Sequence, residues 1–477
     1  MSTLTRRPAL ELARMIRGGE VRAREVVEAH IAAVELANPR LNAVVESRYE
    51  AARAEADAAD RLVASGAATP PLLGVPCTIK EAFAFEGMPQ TSGLVSRRGI
   101  RATGDAPAVA RLRAAGAIPL GVTNTSELCM WFESNNRVYG RTSNAYDPTR
   151  IAGGSSGGEG AIVGAGGVPF GLGADIGGSI RMPAFFNGVF GHKPSPGLVP
   201  NTGQFPCVSG AALRILGTGP LCRHARDLMP LLRLLAGPDG ADTACAPVEL
   251  GDPAAVALSR LPVIIVEDNG LIAVHPELHA ALHRAGRALA ARGAAVRVER
   301  VPGLWRTFEL WGASLQAAGG PTFGEHLGGG RPVARLRELV KLIAGRSDHT
   351  LPSLLLTLIE GLGGLVPRRA RWMLAEVQRL RADLLARIGD GVMLYPPFPR
   401  PAPRHGAPVW RPFDFVYTAL LNVLELPATA VPMGLGREGL PLGVQVVARA
   451  GADHLTIRVA EVLEEDCGGW VPPQARP

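Results

Sequence analysis

Residues 151–191 read IAGGSSGGEGAIVGAGGVPFGLGADIGGSIRMPAFFNGVFG, and fourteen of them are glycine. Two of the glycine clusters carry serine, Gly153-Gly154-Ser155-Ser156-Gly157-Gly158 and Gly177-Gly178-Ser179. Glycine at this density weakens helix and strand interiors alike. It is useful where backbone must pass close to other backbone, or where N–H groups must face a ligand. Between the clusters the pattern predicts a short helix over 159–166 and a buried strand over 168–174. Ser179 then falls on the loop beyond that strand, beside Asp175. A flexible Gly/Ser linker would lack this apolar filling. A phosphate-binding loop would need G-x-x-x-x-G-K-[ST], or G-x-G-x-x-G after a strand, and neither is present. Serine hydroxyls next to clustered N–H donors suit acyl transfer instead.

A second constraint is the choice of basic residue. The chain has 50 Lys+Arg, of which only Lys80, Lys193 and Lys341 are lysine. Arginine does not deprotonate in proteins, whereas a buried lysine can act as a neutral base. Lys80 ends the apolar run 73–79, which reads as a buried strand, and is the candidate base. A base of this kind predicts activity that climbs toward alkaline pH.

The remaining features mostly exclude. The net charge of +7 is spread among 43 acidic residues, with no basic block or basic-aromatic stripe, so nucleic acid is not an expected partner. Cys77, Cys129, Cys207, Cys222, Cys245 and Cys467 form no C-x-x-C pair, which fits reduced thiols and a cytoplasmic location. No secretory leader and no apolar run of about eighteen residues is apparent. His275, His279 and His283 recur every four residues, but no third donor stands at a sensible spacing. They read as a solvated helix face, so no metal and no cofactor is assigned. Gly153 to Gly157 spells G-x-S-x-G, yet the polar run 142–150 precedes it where a nucleophile elbow needs an apolar strand. A Ser-His-Asp triad through His192 and Asp175 is therefore disfavoured. His192 reads as a structural residue in a tight turn, and Asp175 as a residue that fixes loop geometry.

The chain is read as one unit over 1–477. An N-terminal helical region covers 1–70, with helices over 8–38 broken at Gly18-Gly19 and over 49–65. The Lys/Gly-Ser core covers 71–235. It includes a helix over 105–115, a strand over 118–122, and a helix over 223–235 kinked at Pro230. Residues 261–301 pattern as a βαβ unit, which sets the class as α/β. Residues 303–390 read as an inserted helical cap. Strands follow over 392–396, 427–434 and 443–447, then a closing helix over 455–465.

Taken together these motifs resemble the amidase signature family. Gly74-Val75-Pro76 with Lys80-Glu81 is similar to its lysine motif, and residues 153–160 to its Gly/Ser core. Ala174 to Arg181 with Pro183 is similar to its nucleophile motif. Residues 127–131, 185–188, 191–196 and 468–471 most resemble the branch of fatty-acid amide hydrolases of the second vertebrate type. The resemblance implies a mixed central sheet of about eleven strands between helices. It implies Ser179 as the nucleophile that forms an acyl-enzyme, Ser155 as a bridging serine on a cis peptide, and Lys80 as base. It further implies an oxyanion hole from the N–H groups of Ile176, Gly177, Gly178 and Ser179, with the Cys129 carbonyl facing the substrate amide. The expected activity is hydrolysis of a carboxamide, a fatty-acid or aryl amide among the options. The alternative is the amidase component of a glutamine-dependent aminoacyl-tRNA transamidation complex. The expected partner is a small amide. Homodimerisation and interfacial membrane contact by the cap stay open, and the apolar stretch 351–366 is expected to line an acyl channel or to pack as core.

Overall fold

The computed structural model describes residues 3–362 and 367–474. Among the described residues thirteen strands form, in chain order β1 (Val44–Ser47), β2 (Pro76–Lys80), β3 (Ile118–Thr123), β4 (Asn135–Asn136), β5 (Gly140–Arg141), β6 (Phe170–Asp175), β7 (Phe190–Lys193), β8 (Gly217–Cys222), β9 (Pro262–Ile265), β10 (Ala295–Val298), β11 (Val392–Tyr395), β12 (Ala428–Leu435) and β13 (Pro441–Val447). β4 and β5 make a short hairpin. The other eleven form one sheet in the order β1-β3-β2-β6-β8-β7-β12-β13-β11-β9-β10. β3, β2 and β6 run parallel, as do β11, β9 and β10, while the central strands from β6 to β11 pair antiparallel. The sheet is thus mixed, as expected.

Helices cover both faces because the sheet is apolar on both sides. β2, β3, β6, β7 and β13 are buried at every position, which leaves no polar face for water. The N-terminal helices Ala9–Arg17, Ala23–Leu41 and Tyr49–Ala64 appear where the period predicts, with the break at Gly18-Gly19. The expected βαβ unit is β9, the helix Pro276–Ala291 and β10, with Ala295 beside Pro262.

Two expectations change. The helix over 223–235 does not kink at Pro230. A 3₁₀ turn occupies Ala225–Asp227 and the helix starts at Leu228, so Pro230 sits in the first turn, where its missing N–H has no partner to lose. His192 is not in a turn: it lies on β7, paired with Thr429 of β12.

Among the described residues, five α-helices lie between β10 and β11: Thr307–Ala318, Phe323–Leu327, Arg335–Ile343, Leu351–Leu362 and Pro367–Ile388. The last four residues of the apolar stretch 351–366 lie outside the described residues. Among the described residues no helix is long and apolar enough to cross a membrane.

Candidate active site

The Gly/Ser segment forms the centre of the molecule. From 151 to 195 every residue is buried except Ile176, which is half-buried. Its first cluster opens the helix Gly157–Gly164, and its second follows β6. Lys80, at the end of β2, reaches across and its Nζ donates to Ser155 Oγ at 2.7 Å. The Gly154–Ser155 peptide is cis. The Ser156 N–H donates to the Ser179 carbonyl at 3.2 Å, which joins the two glycine clusters at their serines. Lys80 and Ser155 are 1 % exposed and Ser179 6 %, so all three sit largely out of water.

The other two lysines differ. Lys341 pairs with Glu338 at 2.6 Å on a cap helix. Lys193 is buried, donates to the Pro194 carbonyl at 3.0 Å, and burial pushes it down to about 7, with Arg181 adding to the effect.

Asp175 organises the loop that holds Ser179. Its Oδ1 accepts from the Gly178 N–H at 2.7 Å and its Oδ2 from the Ile180 N–H at 3.1 Å. The buried Arg181 guanidinium donates to both oxygens, Nε and Nη2 each at 3.0 Å. Burial favours the neutral acid, but Arg181 and the Asn422 amide outweigh it and hold Asp175 below the usual carboxylate range. Asp175 is thereby unavailable to His192, which contacts Thr429 Oγ1 at 2.9 Å and Asp453 Oδ1 at 3.1 Å. The Ser-His-Asp alternative through this pair has no geometric basis.

One expected oxyanion donor is already engaged. With the Gly178 N–H on Asp175, the expected set of donors in this loop is left with Ile176, Gly177 and Ser179. The carbonyls flanking them are anchored on the far side. Trp311 Nε1 donates to the Ile176 carbonyl at 2.9 Å, and Thr418 Oγ1 to the Gly177 carbonyl at 2.9 Å. Gly178 itself takes φ 121°, a conformation that side-chain-bearing residues rarely adopt.

Around Lys80 two buried carboxyls shape the site. Glu81 accepts from the Thr91 N–H at 2.6 Å, the Ser92 N–H at 2.7 Å and the Tyr139 hydroxyl at 2.7 Å, which fixes the turn after β2. Glu159 accepts from Thr78 at 2.6 Å and Thr123 at 2.7 Å, and burial pushes it up to about 8. Burial thus favours its neutral form over the carboxylate.

Cys129 lies in the loop after β3, with φ 59° following Leu128 at φ 53°. Its N–H donates to the Ser126 carbonyl at 2.9 Å. The neighbouring Glu127 carboxylate accepts from His349 Nδ1 and the Thr350 N–H, each at 2.8 Å, which ties this loop to the cap. An aromatic wall runs from Trp131 and Phe132 through Phe415 to Trp311 and Phe308, with ring centroids 4.9 to 6.3 Å apart. Thr418, Asn422, Trp311 and Phe415 are not apparent as site residues in the sequence. They come from segments far along the chain with no local motif, and only the tertiary fold brings them in.

The family model for amidases matches residues 25–457. The chain belongs to the amidase signature family. It is 46 % identical over 483 residues to fatty-acid amide hydrolase 2-B of Danio rerio, an alignment that covers 98 % of this chain and 90 % of that protein. It is 31 % identical to a glutamyl-tRNA(Gln) amidotransferase component of Synechococcus sp. (strain WH7803), over 95 % of this chain and 96 % of that one. Among solved structures, a substrate complex of 6-aminohexanoate cyclic dimer hydrolase superimposes with a TM-score of 0.82 at 28 % identity, covering 98 % of each chain. The protein is an amidohydrolase, and its mixed eleven-stranded sheet is the one the family resemblance implies.

Proposed function

We propose that the protein hydrolyses a linear carboxamide with an apolar acyl part, through an acyl-enzyme on Ser179. The observation that carries this reading is the Lys80 Nζ–Ser155 Oγ hydrogen bond of 2.7 Å, inside a buried segment tied to Ser179. Ser179 Oγ attacks the amide carbonyl while its proton passes to Ser155 Oγ, and the Ser155 proton passes to Lys80 Nζ. The carbonyl oxygen becomes an oxyanion facing the N–H groups of Ile176, Gly177 and Ser179. The C–N bond then breaks, and the departing amine takes its proton back along the same route. Water attacks the ester in turn and releases the acid. The Cys129 carbonyl accepts from the substrate amide N–H and orients it.

The aromatic wall at Trp131, Phe132, Trp311 and Phe415 favours an apolar acyl group over the polar side chain of glutamine. The greater identity to a fatty-acid amide hydrolase points the same way. The test pairs capture with turnover. A serine-directed fluorophosphonate should add one mass equivalent on the Ser179 peptide. A panel of short, aryl and long-chain acyl amides should favour the apolar substrates. Labelling at another serine would overturn the nucleophile, and glutamine as the preferred substrate would restore the transamidation reading.

A further inference from the structure

His279 and His283 stand four residues apart on the helix Pro276–Ala291, so their rings share one face, with centroids 4.7 Å apart. The third donor that the sequence spacing does not show comes from two residues past the end of β9. Glu267 Oε1 lies 3.0 Å from His279 Nε2 and 2.6 Å from His283 Nε2. One ligand atom from each of the three lies within 4.8 Å of the others. Among the described residues these two rings are the ion-pair partners of Glu267. His275 is not part of the group, since its Nδ1 accepts from the Glu277 N–H.

We propose that Glu267, His279 and His283 bind one zinc-class divalent cation. A single carboxylate neutralises one imidazolium, not two placed side by side. One divalent ion between two neutral imidazoles and a carboxylate satisfies all three donors. Ligand atoms around a tetrahedral zinc stand about 3.3–3.6 Å apart, given metal–ligand bonds of about 2.0–2.2 Å. The Glu267 Oε1 spacings of 3.0 and 2.6 Å to the two Nε2 atoms are shorter than that, so the carboxylate has to draw back by about 0.3–1 Å to admit the ion. Imidazole with carboxylate suits zinc, nickel and copper over magnesium or calcium. The side chains keep 46 %, 28 % and 33 % exposure for His279, His283 and Glu267, which leaves room for water as a further ligand. The bound ion joins the end of β9 to the following helix and stabilises the folded chain by mass action.

The full-length chain, free of any histidine tag and stripped with a chelator, is titrated with zinc by calorimetry and by thermal shift. Cobalt(II) replaces zinc for visible absorption. One equivalent of zinc should bind and raise Tm, and magnesium should not. Cobalt should give ligand-field bands without the charge-transfer band of a thiolate. His283→Ala and His279→Asn should each abolish the tight equivalent, and Glu267→Gln should weaken it by at least about tenfold, with circular dichroism unchanged. Absence of binding to the parent chain, unchanged affinity in both histidine variants, or a thiolate band would each overturn the site.

Discussion

The Gly/Ser core and the cap solve opposite packing problems. In the core, residues 151–195 are buried almost without exception, and the backbone runs close to other backbone. A Cβ on Gly158 would stand 2.5 Å from the Asn124 nitrogen and 2.7 Å from the Ala43 carbonyl oxygen. In the cap, large apolar side chains face outward: Leu336, Val340 and Ile343 are 77 %, 61 % and 83 % exposed. Gly312 there has nothing within 4 Å of a notional Cβ. Atoms that must hold a reaction geometry tolerate little displacement, so the core is built from groups too small to substitute. The helices between β10 and β11 touch the Gly/Ser loop through Trp311, which donates to the Ile176 carbonyl, and their outward side chains are not held to that geometry.

The largest expected effect tests whether the core acts as a unit. Ser179→Ala should lower kcat by roughly 10⁴–10⁶-fold. Lys80→Ala combined with Ser155→Ala should cost little more than the worse single change, because the two lie on one proton path. Single-turnover kinetics read this directly, and additive logarithmic losses would break the relay. Next in size is Gly158→Ala. The backbone atoms facing it cannot move aside, so the cost should be about 3 kcal/mol of stability by denaturant unfolding. A neutral result would mean that the core is less tightly built than its glycines imply.

The same contrast explains what can be read from the sequence. Lys80, Ser155 and Ser179 stand out because rare lysine and clustered glycine are local signals. The unit of β9, helix and β10 is legible from its hydrophobic period. β7 and β8 are not, because Phe190–Lys193 and Gly217–Cys222 contain glycine, histidine and proline where strand patterns expect branched residues. They are strands because the sheet surrounds them. Asp175 is legible as a residue that fixes the loop, but which N–H groups it takes, Gly178 among them, is not, since that depends on loop geometry rather than residue type. Glu267 is a similar case: it stands twelve positions before His279, and only the return of the helix along β9 closes the gap.

Within the cap, Leu354 packs with Leu94, Leu128 and Leu327, whereas Leu355 is half-buried and Leu358 is 43 % exposed. Leu355→Ser with Leu358→Ser should therefore leave Tm almost unchanged while lowering kcat/KM for long-chain amides about tenfold and sparing short ones. Leu354→Ser is the control that should lower Tm. Equal loss on short and long substrates would remove these leucines from the acyl path.

A smaller effect separates the core by pH. Glu159 ionises near 4.5 when unfolded, and burial raises it to about 8 in the fold. The folded chain then binds more protons between these values. The contribution of Glu159 to stability is complete below about 4.5 and is lost as pH rises through about 8. Glu159→Gln removes that slope, so the Tm of the variant should gain on the parent as pH increases across the window. Parallel curves would show that the carboxyl is ionised throughout.

Gly312→Ala should give the smallest change, and it is opposite in sign to Gly158→Ala. Gly312 is exposed in the helix Thr307–Ala318, and its φ lies outside the left-handed region. Alanine loses less backbone entropy on folding and meets no neighbour, so stability should rise by about 0.5–1 kcal/mol. For a chain of this size that is a Tm increase of about half a degree to one degree. Trp311 on the same helix holds the Ile176 carbonyl at 2.9 Å, so a stiffer helix has a direct route to the oxyanion loop. If the cap serves as a fixed wall, kcat should stay level as Tm rises. If turnover requires this helix to move, kcat should fall while Tm rises. A lower Tm would contradict the contrast itself, because it would place close packing where the structure shows open space.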